Sequence, residues 1–399
     1  MDKANVKFDL RRLWAHYRFA PGQAHVYTVR ALLPIVQEFN GYIEREAKVY
    51  DSVFSTFTPL ISIQIEDYVD FLEMINTQLT AAPSYGGGAS DMAAAVPYYA
   101  IISRFCNTPG GSSAFTHPGV NGGFCTVFTA WNKYLASADS TNIIHNGEGG
   151  WLSTAALNSI VQHAGGNPGQ DTSDNFYICD TSDPHYGFNH GTSSSRSTVL
   201  SFSLTTQRSS TLHARPPSAN LTTTSRRQTD SGLKIPPYSL NHMLAEDELV
   251  GIFVGGTLFQ PMLASFDYHR WRSPVNGTVT KTRLISGLKH SNHHQPSTLD
   301  FVTVISSRAL IFVQADEPVG LICFVGIGIC EVSACGITVN EGQVLKKGDE
   351  LGMFHFGGST QCLVFRGGVA VSPIDQDGND LAGSKAWVGI SGFTTAMPS

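Results

Sequence analysis

No two of the seven cysteines stand as a CxxC pair, and none falls at the spacing of a zinc ligand set. That scatter argues against a disulfide framework and favours buried free thiols in a reducing compartment. No apolar run reaches the ~20 residues needed to cross a bilayer as a helix. The N-terminus, Met1-Asp2-Lys3-Ala4-Asn5 leading into Arg11-Arg12, lacks the apolar centre of a secretory signal. Positive charge is also in short supply. Lys and Arg number 26 against 32 Asp and Glu, a net charge of −6 with a pI near 6.1, which offers nucleic acid nothing to hold. A cytoplasmic protein is expected, with no integral membrane segment and no nucleic-acid partner.

The sharpest deficit is local. From Gly191 to Thr229 there is no Asp, Glu or Lys, and Ser or Thr fills about half of the positions. Such a composition supplies no packed core and reads as an irregular linker.

Elsewhere the chain has what a core needs. Its 399 residues, 42% of them hydrophobic, suit two packed domains or one large one. Leu32–Tyr50 and Glu66–Leu79 carry apolar residues at helical spacing. Ala93–Phe105, Gly122–Leu135 and Ser153–His163 are further predicted helices, with Ser153 as a cap. Pro83–Ser90 and Thr108–Ser113 read as loops, and Trp131, Tyr134 and Trp151 as core aromatics. From Glu248 onward the pattern changes. Leu249–Val254, Phe301–Val313, Val319–Val332 and Cys362–Val371 are short runs rich in Val, Ile and Phe between turn residues, which predicts strands. The expected class is α+β: a helical domain over 1–175, then a mostly antiparallel β domain over 176–399.

The chemistry lies in Phe354-His355-Phe356-Gly357-Gly358-Ser359-Thr360. Glycine has no Cβ, so the backbone at Gly357-Gly358 can leave the carbonyl before Ser359 open to attack by that serine's hydroxyl. Attack would turn the amide into an ester, and elimination from the ester would cut the chain between 358 and 359, leaving a ketone-bearing pyruvoyl group on the new end. Taken alone, Gly-Gly-Ser is also ordinary turn chemistry.

Two longer texts decide between these. Val339-Asn340-Glu341-Gly342-Gln343-Val344-Leu345-Lys346-Lys347-Gly348-Asp349-Glu350, running on to Gly357-Gly358-Ser359-Thr360, resembles the processing segment of the phosphatidylserine decarboxylase family. Asp267-Tyr268-His269-Arg270-Trp271-Arg272-Ser273-Pro274-Val275-Asn276-Gly277 resembles its second signature. The N-terminal texts Ile35–Glu44, Ser113-Ala114-Phe115-Thr116, Gly150-Trp151-Leu152 and His185-Tyr186-Gly187-Phe188-Asn189 are similar to a fungal branch of that family, of the tryptophan decarboxylase type.

The resemblance implies a pyruvoyl cofactor made from Ser359 and no pyridoxal phosphate. It also implies decarboxylation through a Schiff base with the substrate amine. The implied substrate is an amino acid, aromatic by branch, with phosphatidylserine as the alternative and an unprocessed, impaired homologue as a third reading. The expected partner is that small molecule, and a homo-oligomer is left open. His269, whose side chain titrates near neutrality, is the candidate base. His355 is a candidate for lining the pocket.

Two departures from the family pattern stand out. Arg272 replaces a second histidine found in many members; it cannot give up a proton at neutral pH but could pair with a substrate carboxylate. The acidic partner expected for His269 should fall within 191–229, which has none, and Asp267 is adjacent on a strand and so faces the other way. A frameshift offers an explanation. His190-Gly191-Thr192-Ser193-Ser194 can be encoded as CATGGGACGAGTTCTTC, which from its third base reads Trp-Asp-Glu-Phe-Phe, the family's continuation; the frame would return around Asp230. An uninterrupted transcript through the block would sink this idea.

Metal is not expected. His290, His293 and His294 read as a polar loop without further ligands. Gly326-x-Gly328 lacks the third glycine and the helix of a nucleotide site. The lipoyl-carrier likeness of Val339–Leu351 lacks the exposed lysine at a hairpin tip.

Overall fold

Pro34 opens the first helix, α1 (Pro34–Arg45), at the position where its fixed φ and missing N–H cost nothing. Val36, Phe39 and Ile43 lie on one face of it and are buried. The single helix expected over Leu32–Tyr50 is broken at Glu46, whose backbone is extended (φ −98°, ψ 94°), and α2 (Ala47–Phe57) starts afresh. The break gives the two pieces different neighbours. The computed structural model describes residues 31–57, 68–86, 97–98, 101–102, 108–163, 166–176, 179–187, 220–223, 239–260, 262–263, 270–287, 303–328, 334–355, 359–373 and 393–396.

Helix α3 (Tyr68–Gln78) buries Tyr68, Phe71, Leu72 and Ile75 on one stripe, close to the expected bounds. The loop expected at Thr108–Ser113 is instead the start of α4 (Pro109–Thr116). Thr108 Oγ1 accepts a hydrogen bond from Gly111 N–H at 2.9 Å, and Pro109 takes the first helical position, so capping outweighs the poor helix propensity of Gly110-Gly111. α5 (Pro118–Leu135) likewise begins earlier than expected, capped by His117 Nδ1. Its Gly119 and Gly123 face α1. A Cβ on Gly119 would lie 1.9 Å from the Tyr42 hydroxyl, and one on Gly123 would lie 2.3 Å from the Phe39 ring.

α6 (Thr154–His163) follows Ser153, whose Oγ accepts from Ala156 N–H at 3.3 Å, as its place before the helix suggested. Trp131 and Trp151 are buried, with indole N–H groups donating to the carbonyls of Ala81 (3.0 Å) and Pro83 (2.7 Å). Tyr134 is half-buried. Of Ala93–Phe105, only 97–98 and 101–102 are described, and they are helical.

The C-terminal half is antiparallel throughout its described pairings. A large sheet has the order β1 (Asn220–Thr223), β2 (Thr257–Gln260), β11 (Ser359–Phe365), β7 (Leu321–Gly328), β6 (Ser307–Ala315), β5 (Gly277–Ile285), β9 (Val344–Leu345). The short β3 (Met262–Leu263) also pairs with β11. A small sheet has the order β4 (Arg270–Arg272), β10 (Glu350–His355), β8 (Ala334–Ile337), and β12 (Ala370–Pro373) pairs with β13 (Phe393–Ala396). Helices and then antiparallel sheets make the α+β class expected from sequence.

β6 and β7 are almost wholly buried because both faces of the large sheet are covered. Leu310, Phe312, Cys323 and Val325 join the core of the helical half. Their neighbours Ile311, Val313, Ile322 and Phe324 pack with Trp271, Leu351 and Phe354 of the small sheet.

Two expectations are overturned. Leu249–Val254 is not a strand but part of a 3-10 helix, Glu248–Phe253, whose first turn is held by Asp247 Oδ1 accepting from Leu249 N–H at 3.2 Å. The Gly191–Thr229 block is not irregular throughout: Asn220–Thr223 pairs with β2, and the rest of the block lies outside the described residues. In Val339–Leu351, β9 pairs with β5 in the large sheet and β10 with β4 and β8 in the small one, in keeping with the rejection of a carrier hairpin there.

Candidate active site

Ser359 is the first residue of β11, in the interior of the large sheet. It stands opposite Gly328 of β7 and Leu263 of β3, and Gly328 stands in turn opposite Ser307 of β6. Ser307, Gly328 and Ser359 therefore form the terminal row across three neighbouring strands.

On the other side of the candidate cut, β10 ends at His355 in the small sheet, opposite Ala334. Residues 356–358 alone separate the two strands, so the Gly-Gly-Ser text is where the chain passes from one sheet to the other. Gly358 itself lies outside the described residues.

His269 also lies outside them, but its neighbour does not. Arg270 opens β4 opposite Met353 of β10, and its guanidinium binds both carboxylate oxygens of Glu350 at 2.8 Å. Arg272 closes β4 opposite Glu350, with Nη1 reaching the Gly348 carbonyl at 3.5 Å. β10 runs from Glu350 toward the crossover at about 3.4 Å per residue, which places Arg272 at the end of the small sheet remote from Ser359.

Between them, the buried Trp271 lies over Gly326 and Gly352, where a Cβ would come within 2.7 and 2.6 Å of its ring. Its ring centroid is 5.2 Å from that of Phe324 and 4.9 Å from that of Phe354. Its Nε1 is buried and has no hydrogen-bond partner among the described residues.

Among the described residues of this half the buried carboxylate is Asp247, and it is fully engaged. Lys281 Nζ lies 2.9 Å and Arg283 Nη1 2.8 Å from its Oδ2. Burial pushes its pKa up, but hydrogen bonds from Lys281, Leu249 N–H and Arg283 more than reverse this, holding it below the ordinary aspartate value. The thiol of Cys323 is pushed well up, chiefly by burial. Among the described residues no three His, Cys, Asp or Glu come together as a metal site. His290, His293 and His294 lie outside them.

Two family models match the chain, both described as phosphatidylserine decarboxylase. One covers residues 33–160, the helices from α1 to α6, and the other covers 221–386, from β1 past β12. An L-tryptophan decarboxylase of Psilocybe cubensis is 32% identical over 367 residues, 84% of this chain and 81% of the relative. Decarboxylase iboD of Amanita muscaria is 33% identical over 298 residues, 68% and 83% of the two chains. A phosphatidylserine decarboxylase proenzyme of Chlamydia pneumoniae is 32% identical over 133 residues, 33% and 44%. The chain belongs to the phosphatidylserine decarboxylase family. It falls in the branch of the fungal relatives, and it is a carboxy-lyase.

For a phosphatidylserine decarboxylase-family chain, the motif-bearing strands β4, β10 and β11 are now placed: two in one sheet, the third in the sheet packed on it. No helix among the described residues is long and apolar enough to cross a membrane. The second family match begins inside the acid-free block, where β1 also begins. Sequence reasoning passed over one group entirely. Gln260, Thr303, Thr360 and Arg308 are buried polar residues behind the start of β11. They come from three separate stretches of chain, with only Thr303 and Arg308 near each other, so no motif marks them, and the one visible signal is an arginine inside an apolar strand.

Proposed function

We propose that the chain cuts itself between Gly358 and Ser359, carries the resulting pyruvoyl group at residue 359, and decarboxylates an aromatic, tryptophan-like amino acid. The observation that carries this is the position of Ser359: a hydroxyl-bearing residue preceded by glycine, at the crossover between two packed sheets, in a terminal row with Gly328 and Ser307 on one side and Leu263 on the other. The small residues on the β7 side fit a group as compact as a pyruvoyl.

In this scheme Ser359 Oγ adds to the Gly358 carbonyl carbon, His269 takes the hydroxyl proton, and the C–N bond breaks to leave an ester and a free amine. Loss of the residue 359 Cα proton and cleavage of its Cβ–Oγ bond frees the Gly358 carboxylate. Water then displaces the nitrogen as ammonia. The product group supplies an electrophilic ketone for a substrate amine and an acceptor for the electron pair left by CO₂.

His355, at the end of β10, is assigned to the pocket wall. Arg272 is the weaker assignment, since its place opposite Glu350 requires a substrate that extends along β4 to meet it. The division into a helical domain, 1–175, and a catalytic domain, 176–399, belongs to the same proposal.

The fungal relatives support the amino-acid substrate. The family models and the bacterial proenzyme favour a second reading, phosphatidylserine converted to phosphatidylethanolamine. Intact mass of the purified chain under denaturing conditions tests the cut: a C-terminal fragment beginning at residue 359 with a blocked, ketone-bearing end is expected, and one whole chain would sink the proposal. Amine release from tryptophan, with none of the lipid product from phosphatidylserine vesicles, is expected of the cut protein. The reverse pattern would replace the first substrate with the second.

A further inference from the structure

Directly after the candidate cut, Thr360 is fully buried, and so is Thr303. Gln260, 3% exposed, links them: its Nε2 donates to Thr303 Oγ1 at 3.0 Å and to Thr360 Oγ1 at 3.4 Å. The Thr303 carbonyl in turn accepts from Arg308 Nη1 at 3.5 Å. The same nitrogen donates to the carbonyls of Val304 and Ser306, and Nη2 donates to the His242 carbonyl at 3.4 Å.

The path closes on itself. Thr360 pairs with Ile327, and Ile327 pairs with Arg308, so the ladder joins the same two ends through the backbone.

This arrangement is costly. Arg308 is 5% exposed, and among the described residues it meets no carboxylate and neither its Nε nor the buried Ser306 hydroxyl has a hydrogen-bond partner. Burial pulls the guanidinium pKa down to about 10, against an opposing pull from Cys335. A buried unpaired charge lowers stability, and an apolar core of the same shape would avoid the cost. What the polar ring adds is a defined geometry for residue 360.

We propose that Gln260 and Thr360, braced by Arg308 through Thr303, are positioning residues for self-cleavage. They fix the backbone of residue 360 from behind, and so fix the serine joined to it against the Gly358 carbonyl. The proposal rests on the self-cutting reading above. Acyl transfer depends steeply on placement, and a shift of about 1 Å can slow a reaction on the order of a hundredfold.

The test follows cutting over time in the full chain, by intact mass under denaturing conditions, for wild type, Thr360→Val, Thr360→Ser and Gln260→Leu. Thermal midpoints of the same variants are measured on a Ser359→Ala background, where no cutting intervenes. Thr360→Val, which keeps shape but removes the hydroxyl, is expected to cut at least about tenfold more slowly. Gln260→Leu should be slowed similarly, Thr360→Ser should restore most of the rate, and the midpoints should stay close together. Wild-type rates in both Thr360→Val and Gln260→Leu would overturn the inference and leave the self-cutting reading standing. So would slowing that tracks the midpoints and is not relieved in Thr360→Ser. A wild-type chain that stays whole would overturn the underlying reading and this inference with it.

Discussion

The guanidinium of Arg283 lies 2.8 Å from Asp247, whose side chain has no exposed surface, and this contact ties β5 to the capped 3-10 helix beside it. Lys281 approaches the same oxygen at 2.9 Å. Asp247→Asn would keep the shape and leave two cations without their shared anion. Both are about one-third exposed, which softens the loss, so a cost of about 2 kcal/mol is expected in denaturant titration.

The pH dependence of that contact has a definite sign. The folded-state pKa of Asp247 lies below its unfolded value, so its contribution is fully present above the ordinary aspartate range and is lost as pH falls through the lower folded value. Wild type should therefore lose more stability than Asp247→Asn on acidification below about pH 4. Equal losses would show that other carboxylates carry the acid sensitivity.

Gly326 has no room to grow. Its added Cβ would meet Trp271 Cζ2 at 2.7 Å, and that indole is itself buried between two sheets. Gly326→Ala should cost about 1–3 kcal/mol and change the near-ultraviolet circular dichroism of the packed tryptophan. A variant with unchanged midpoint and spectrum would mean that the sheets separate more easily than their packing implies.

Trp151 hands its N–H to the Pro83 carbonyl at 2.7 Å in the helical core. Trp151→Phe keeps most of the apolar area but leaves that carbonyl unpaired. A loss of about 1–3 kcal/mol is expected, measured by thermal unfolding.

Two substitutions address the proposed cut directly. Ser359→Ala should remain one chain indefinitely, since no hydroxyl is left to attack. His269→Asn should still cut, but roughly 10²–10⁴-fold more slowly, as expected when a general base is lost. Intact mass against time reads both, and rapid cutting in His269→Asn would assign the proton transfer to another group.

Much of this was legible in the residues because it was repeated in them. Val, Ile and Phe at short intervals marked β6, β7 and β11, and the crossover serine was marked by two glycines and a long flanking text. What stayed hidden depended on single capping atoms or on distant partners. Thr108 and Asp247 each turned a stretch with the wrong local propensity into helix, through one hydrogen bond at its first turn. Glu46 broke a helix whose apolar spacing continued across it. The Gln260–Thr360 link joins residues a hundred positions apart, and nothing in either neighbourhood announces the other.

β11 lies between β7 on one side and β2 with β3 on the other, and all of Ser359–Phe365 pairs with β7. Severing the chain just before this strand removes one covalent tether and none of those ladders. The two products would travel together through gel filtration in equal amounts and come apart only when the sheet itself unfolds. Return from denaturant then changes its kinetic order. The uncut chain refolds at a rate independent of concentration, whereas the nicked protein must first find its own other half, so its recovery should fall with each dilution.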